Sequence, residues 1–231
     1  MFDFSDFLTE HKIKEKLAKD GLYSEPKKFI IRNENIEFTP GFVRNVEHQG
    51  VSMDIEFQVK KFFELDGVLE GVIDYQNKVL NSPPGEYKNF VNGSSWKSII
   101  QKYEGQICIP AFLYNDDFQI DDKKGPHSSV NSLSAFYYTF PTLPPHVNSK
   151  LDSVFPAMIV KATDVKEYGV TSPLQCLIKV FLQLEIQGIN IFENLENSKQ
   201  IKVVLCKVLE IISAYIAFVA TEKHLICLST V

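Results

Sequence analysis

The spacing of hydrophobic positions changes near residue 105 of this 231-residue chain. Upstream, apolar residues recur mostly at helical intervals. Downstream, they gather into short strand-like runs separated by polar or proline-rich breaks. Residues 1 to 20 form a charged segment marked by Phe4, Phe7, Leu8, Ile13 and Leu17, and Gly21 stops it. Residues 22 to 50, with Pro26, Pro40 and Gly41 around Phe29 to Arg32, read as irregular chain with short strands. Ile55 to Leu80 carries helical spacing through Val59, Phe62, Phe63, Val68, Leu69, Val72 and Ile73. Gly67 and Gly71 weaken its middle and allow two short helices in place of one. After the break at Asn81-Ser82-Pro83-Pro84-Gly85, Ser94 to Tyr103 predicts a helix capped by Ser94 or Ser95, with Trp96, Ile99, Ile100 and Tyr103 on one side.

Four strand candidates follow. Ile107 to Asn115 is the first, and Leu133 to Phe140, rich in aromatics, is the second. Val154 to Ala162 is the third, where Pro156 argues for an edge position or a later start. Thr171 or Ser172 then caps a helix with Pro173 at its first position and Leu174, Leu177, Ile178, Phe181, Leu182 and Leu184 on its apolar face. Gly188 ends that helix, and Lys202 to Leu209 is the fourth strand, with Glu210 at its tip. The expected organisation is α/β: a mainly helical region over 1–104 and a partial sheet domain over 105–231.

Composition narrows the function. With 45% hydrophobic and 23% charged residues the chain is an ordinary globular one, large enough for one sizeable core or two small domains. The net charge of -5 leaves no global basic footprint for nucleic acid. Cys108, Cys176, Cys206 and Cys227 form no CxxC pair and sit in apolar surroundings, which suggests a reducing, intracellular (nuclear or cytoplasmic) setting. The start of the chain has no signal-peptide pattern. Ile211 to Ala220, the most apolar stretch, is about half the roughly 20 residues that span a bilayer. No membrane role is expected. No GxxxxGK[ST] loop and no GxSxG elbow is present.

The candidate chemistry lies where the first strand meets Asn115-Asp116-Asp117. Asn and Asp favour turns, so these residues read equally as a simple strand end. The functional reading comes from the element order: strand, strand, strand, helix, strand. That is the order of the RNase H-like fold, in which the first and fourth strands lie parallel and side by side. Their tips then bring two carboxylates together, here Asp116 and Glu210, with Asp117 adjacent. Paired carboxylates hold Mg²⁺ or Mn²⁺ for phosphoryl transfer, and bridging two ions requires the two groups within about 8 Å. His127, near Asp121 and Asp122 in the polar loop, reads as solvated or as a neighbour of that site; His146 reads as an exposed turn residue, and His48 has no partner in sequence. Lys161 and Lys166 read as solvated or as nucleic-acid backbone contacts. The Phe136 to Tyr138 cluster reads as core in preference to a base-stacking platform.

The residues also resemble a family. LYNDDF, then LSAFYYTFPTLPPHVNSKL, then SPL and LEIQGI are similar to the catalytic region of tnp2-type transposases of CACTA-like DNA transposons, and to uncharacterised animal proteins descended from them. GLYSEPKKF and FVNGSSWKSIIQKYEGQ fit the animal relatives, so the likeness covers most of residues 21 to 205. It implies an RNase H-like domain that cut or joined DNA with Mg²⁺, with Asp116 as the first catalytic acid and Asp117 at a variable position. The pattern then departs. Where the family has a second catalytic Asp in a small turn, this chain has Leu209-Glu210-Ile211-Ile212, and only Cys227 stands for a cysteine pair. The resemblance therefore implies a truncated, inactive remnant. The other expectation is a non-catalytic interaction scaffold that binds a partner or self-associates through the apolar segment 211–220.

Overall fold

The computed structural model describes residues 9–83, 85–86, 88–119, 132–193 and 198–209. Its frame is a mixed seven-stranded sheet in the order β1-β2-β5-β4-β3-β7-β6. The chain opens with α1 (Glu10–Lys19), capped by the Thr9 hydroxyl, and proceeds to the strands β1 (Lys27–Thr39) and β2 (Phe42–Ser52). Three helices follow: α2 (Ile55–Phe63), α3 (Val68–Leu80) and α4 (Ser94–Lys102). Then come β3 (Ile107–Gln119), β4 (Ser132–Thr139), the short α5 (Pro145–Asn148), β5 (Phe155–Lys161), α6 (Ala162–Tyr168), α7 (Thr171–Ile186), β6 (Ile189–Ile191) and β7 (Lys199–Leu209). The four strands expected in the second half are all present. Among the described residues no helix is long and apolar enough to cross a membrane.

β3 lies inside the sheet, between β4 and β7. It runs antiparallel to β4 and parallel to β7, with Ile107 beside Ile201 and Tyr114 beside Leu209. A parallel neighbour needs a long crossover, and α7 with β6 supplies it. Helices on both sides leave the first half of β3 buried on both faces, which explains the near-continuous apolar run ICIPAFL. On one face Ile109, Ala111, Leu113, Phe136, Tyr138, Met158, Val203 and Leu205 join α2 and the buried stripe Leu174, Leu177, Phe181 and Leu184 of α7. On the other, Cys108 and Val204 meet Val79, Val91 and Trp96 from α3, a 3-10 turn and α4.

The end of α7 is fixed by a buried cation. Lys202 on β7 donates to the carbonyls of Glu185 and Ile186 at 2.7 and 2.6 Å, satisfying two C-terminal acceptors of the helix. The Tyr103 ring lies 5.3 Å from that ammonium, and its hydroxyl donates to Glu185. Gly188, at φ 73°, turns the chain into β6.

The structure differs from the sequence reading in four places. Residues 22 to 50 are not irregular: β1 and β2 form one long hairpin. Its pattern was obscured because the tip, Glu37 to Asn45, is exposed on both faces and a bulge at Ile31 breaks the alternation. β2 joins β5 at Val51 and Ser52, so the sheet runs through the boundary expected at 104/105. Gly93 and Val170, not the neighbouring serines and threonine, take the cap positions of α4 and α7. Pro173 then sits in the first turn of α7, where a missing N–H costs no helical bond. Pro156 is in a strand with neighbours on both sides. It is tolerated because β2 reaches only Met158 and because a bulge lies between Phe136 and Tyr137.

Two substitutions test this packing. Phe181→Ala removes a fully buried ring and is expected to cost about 3–5 kcal/mol in urea unfolding. Gly50→Ala would place a Cβ 2.4 Å from the Phe29 ring and 2.6 Å from Val160. It is expected to cost about 1–3 kcal/mol, with the loss concentrated in the hairpin's amide protection.

Candidate functional site

The alternation of β3 decides where its terminal residues go. Tyr114 and Asp116 share one face; Leu113, Asn115 and Asp117 share the other. Asp116 is exposed and pairs across the sheet with Ala135. Asp117 is opposite the buried Ser134, on the side covered by α6, and its carboxylate is 3.8 Å from Lys166. Asn115 donates to the Ser134 hydroxyl at 2.8 Å. The two adjacent acids are thus separated by the sheet. Lys166 is a carboxylate partner at the end of the sheet, and Lys161 lies on the face of Asp116 at the end of β5.

Glu210 lies outside the described residues, as do Asp121, Asp122, His127, Cys227 and the apolar segment 211–220. Leu209, the residue before Glu210, pairs with Tyr114, two positions before Asp116. The carboxyl ends of β3 and β7 therefore stand side by side. Among the described residues, no group of three His, Cys, Asp or Glu side chains is placed to hold a metal ion.

The face that carries Asp116 has a half that no helix among the described residues covers. Here the rings of Tyr114 and Tyr137 stack with centroids 5.4 Å apart and planes 5° from parallel. Burial, the charge of Asp116 and the neighbouring Tyr114 push the Tyr137 phenol above its ordinary range. The register continues the face through Ala135 and Leu133 on β4, Ile159 and Lys161 on β5, Val51 on β2, and Lys28 and Ile30 on β1. All of these are half-buried or exposed, whereas Phe136 and Tyr138, pointing the other way, are fully buried. The aromatic cluster thus divides: Phe136 and Tyr138 are core, as expected, and Tyr137 is not.

A second polar constellation was invisible in sequence, because its members lie far apart along the chain. His48 on β2 sits between two carboxylates: its Nδ1 is 3.2 Å from Asp164 Oδ1 and its Nε2 is 3.5 Å from Glu34 Oε2. Tyr168 donates to Glu34 at 2.8 Å, and Arg32 lies 4.5 Å from the centre of the Tyr168 ring. Asp164 is 5% exposed, and its Oδ2 has no hydrogen-bond partner. The bond to Glu34, then burial, pushes the Tyr168 phenol up to about 12. The cluster joins α6 to the base of the hairpin. Asp164 and Tyr168 stand four residues apart, about one turn, on α6, where the charged run reads in sequence as a solvated loop.

His146 is exposed on α5, beside a cavity of about 230 Å³ between α5 and the start of α3. Its walls are mostly apolar: Val68, Leu143, Pro144 and Val147, with Asp66 at the rim. Nothing there converges on a reacting atom. Cys108 is a packing group: it is buried, and burial raises its pKa, the reverse of a reactive thiolate.

No family model and no curated protein matches this chain.

The His48 cluster yields two expectations. His48→Ala leaves Asp164 buried without its ring partner and should cost about 1–3 kcal/mol in chemical unfolding, with faster amide exchange in β1 and β2. Because the folded phenol of Tyr168 ionises only at about 12, above the unfolded value of about 10, raising the pH above the unfolded value favours the unfolded chain. Alkaline titration of phenolate absorbance should therefore lose a step near pH 12 in Tyr168→Phe.

Proposed function

We propose that this chain is a transposase-derived, RNase H-like domain that no longer carries a complete acidic site. The observation that supports the reading is the placement of Asp116. It lies just past the parallel rung between β3 and β7, on a strand that is antiparallel to β4. With β4 followed by β5, the four strands take the neighbour order β5-β4-β3-β7, and α7 lies in the crossover. That is the arrangement the resemblance leads one to expect, with Asp116 at the position of the first acid.

The described residues do not fit a two-ion centre. Asp116 is the single carboxylate they place on the tip of β3's open face; Asp117 faces away, beside Lys166. One exposed carboxylate binds Mg²⁺ or Mn²⁺ weakly, because such ions keep their waters unless several oxygens replace them. No cleavage step follows from this set of residues. DNA as the ancestral substrate belongs to the same reading.

Calorimetry with Mn²⁺ and Mg²⁺ on wild type, Asp116→Ala and Glu210→Ala tests it. The expected result is the same weak heat for all three and no cleavage of DNA. Tight binding lost in both variants, together with cleavage, would show a working site and overturn the inactive reading. An experimental map placing Glu210 across the sheet from Asp116 would remove the shared-tip geometry altogether.

The second reading is a scaffold for protein contacts. It draws on Phe38, Phe42 and Val43, each more than half exposed at the tip of the hairpin. Light scattering that finds only monomer for wild type and for Phe42→Ser would count against self-association through that tip.

A further inference from the structure

The open half of the sheet combines two properties that are seldom found together on one patch of an acidic protein. The first is aromatic: Tyr114 and Tyr137 form a stacked, half-buried pair that is not covered by either core. The second is charge. Lys207 is beside Phe112 on β7, Lys161 beside Leu133 on β5, and Lys28 beside Val51 on β1. The register places all three on the face of the tyrosines, and each is exposed. None has an ion-pair partner among the described residues; of the acids, Asp116 is the one in their midst. A chain with net charge -5 thus carries a locally basic strip.

The strip has a direction. From Lys207 it passes the Tyr114–Tyr137 pair and crosses Ala135 and Ile159, with Lys161 on one flank and Lys28 at the far end. It crosses five inter-strand spacings, or about 24 Å. Small single-strand-binding folds combine a basic track with aromatic rings and cover roughly 4–16 nucleotides. Apolar Val51, Ile159 and Leu133 form the floor between the lysines.

We propose that this open sheet face binds single-stranded nucleic acid, with bases packing on the Tyr114–Tyr137 pair and phosphates on Lys207, Lys161 and Lys28. The stacked rings select for a ligand with accessible flat faces, which a plain polyanion lacks and a duplex keeps inside its own stack. The proposal extends the reading above to the ligand of the same face and rests on it only for the position of Asp116. It needs no metal and no second acid.

The test is anisotropy of a labelled oligothymidylate titrated with the full chain in EDTA, over a range of salt. Without metal, binding cannot depend on the acidic site, so failure here is separate from failure of the calorimetry. Wild type should bind with a log–log salt slope near -2, the value for about three phosphate contacts at roughly 0.7 each. Tyr137→Ala should weaken binding at least about tenfold, and Tyr137→Phe should restore most of it. Lys161→Gln, an exposed change that leaves the fold intact, should make the slope shallower by about 0.7. Asp116→Asn should tighten binding by removing a repulsive charge. No binding would overturn the proposal. So would binding indifferent to both Tyr137→Ala and Lys161→Gln, or competition by duplex or heparin as effective as by the unlabelled strand.

Discussion

The parallel pairing of β3 with β7 is the constraint on which the rest of the structure depends. Two parallel neighbours cannot be joined by a tight turn. The chain must leave the sheet, cross one face and return, and α7 is that crossing. The crossing buries one side of β3, and α3 and α4 bury the other. A strand covered on both faces has to be apolar at consecutive positions, and ICIPAFL is the result. The last described pair, Tyr114 with Leu209, also fixes the height at which the strands emerge and so where Asp116 stands. Lys202 ties this arrangement at its other end by holding the carbonyls that close α7.

The second helical layer is shorter than the sheet it covers. α3 and α4, through Val79 and Trp96, reach Cys108 and Val204, and Phe90 reaches Phe112 with ring centroids 5.2 Å apart. Beyond that point no helix among the described residues covers the face. Asp116, Tyr114 and Tyr137 lie in the uncovered half for the same reason: each comes after the cover stops. The opposite face is filled by Phe136, Tyr138, Phe181 and Met158.

The hairpin shows a different principle. β2 is hydrogen-bonded to β5 through Val51 and Ser52, so the outer half of the hairpin stands clear of the sheet. Its attachment to the body is reinforced by polar contacts: His48 between Glu34 and Asp164, with Tyr168 and Arg32 alongside. A buried carboxylate is tolerated here because an imidazole faces it. Such an anchor is more specific than apolar packing, since it is satisfied in one docking of the hairpin on α6.

The sequence by itself determined the elements whose burial is one-sided or complete. The α7 stripe, the β3 run, the aromatic β4 and the break at Asn81 to Gly85 follow from periodicity, because burial writes period and composition into the residues. It ended the first of these strands at Asn115, with Asp116 and Asp117 as its tip, whereas β3 runs on to Gln119 and stays paired with β4 to that point. The polar residues read as a turn because the last part of the strand is exposed. It did not show the hairpin, whose exposed tip has no apolar face to alternate. Nor could it show on which side of the sheet Asp116 and Asp117 fall, because a strand reads the same from either face until its neighbours are known. Tertiary structure alone decided those sides, brought His48 to Asp164 across 116 residues of chain, and left Tyr137 uncovered while burying Tyr138 beside it. Each of these depends on which strands become neighbours and where the helical cover ends, and both are set by contacts between residues far apart in sequence.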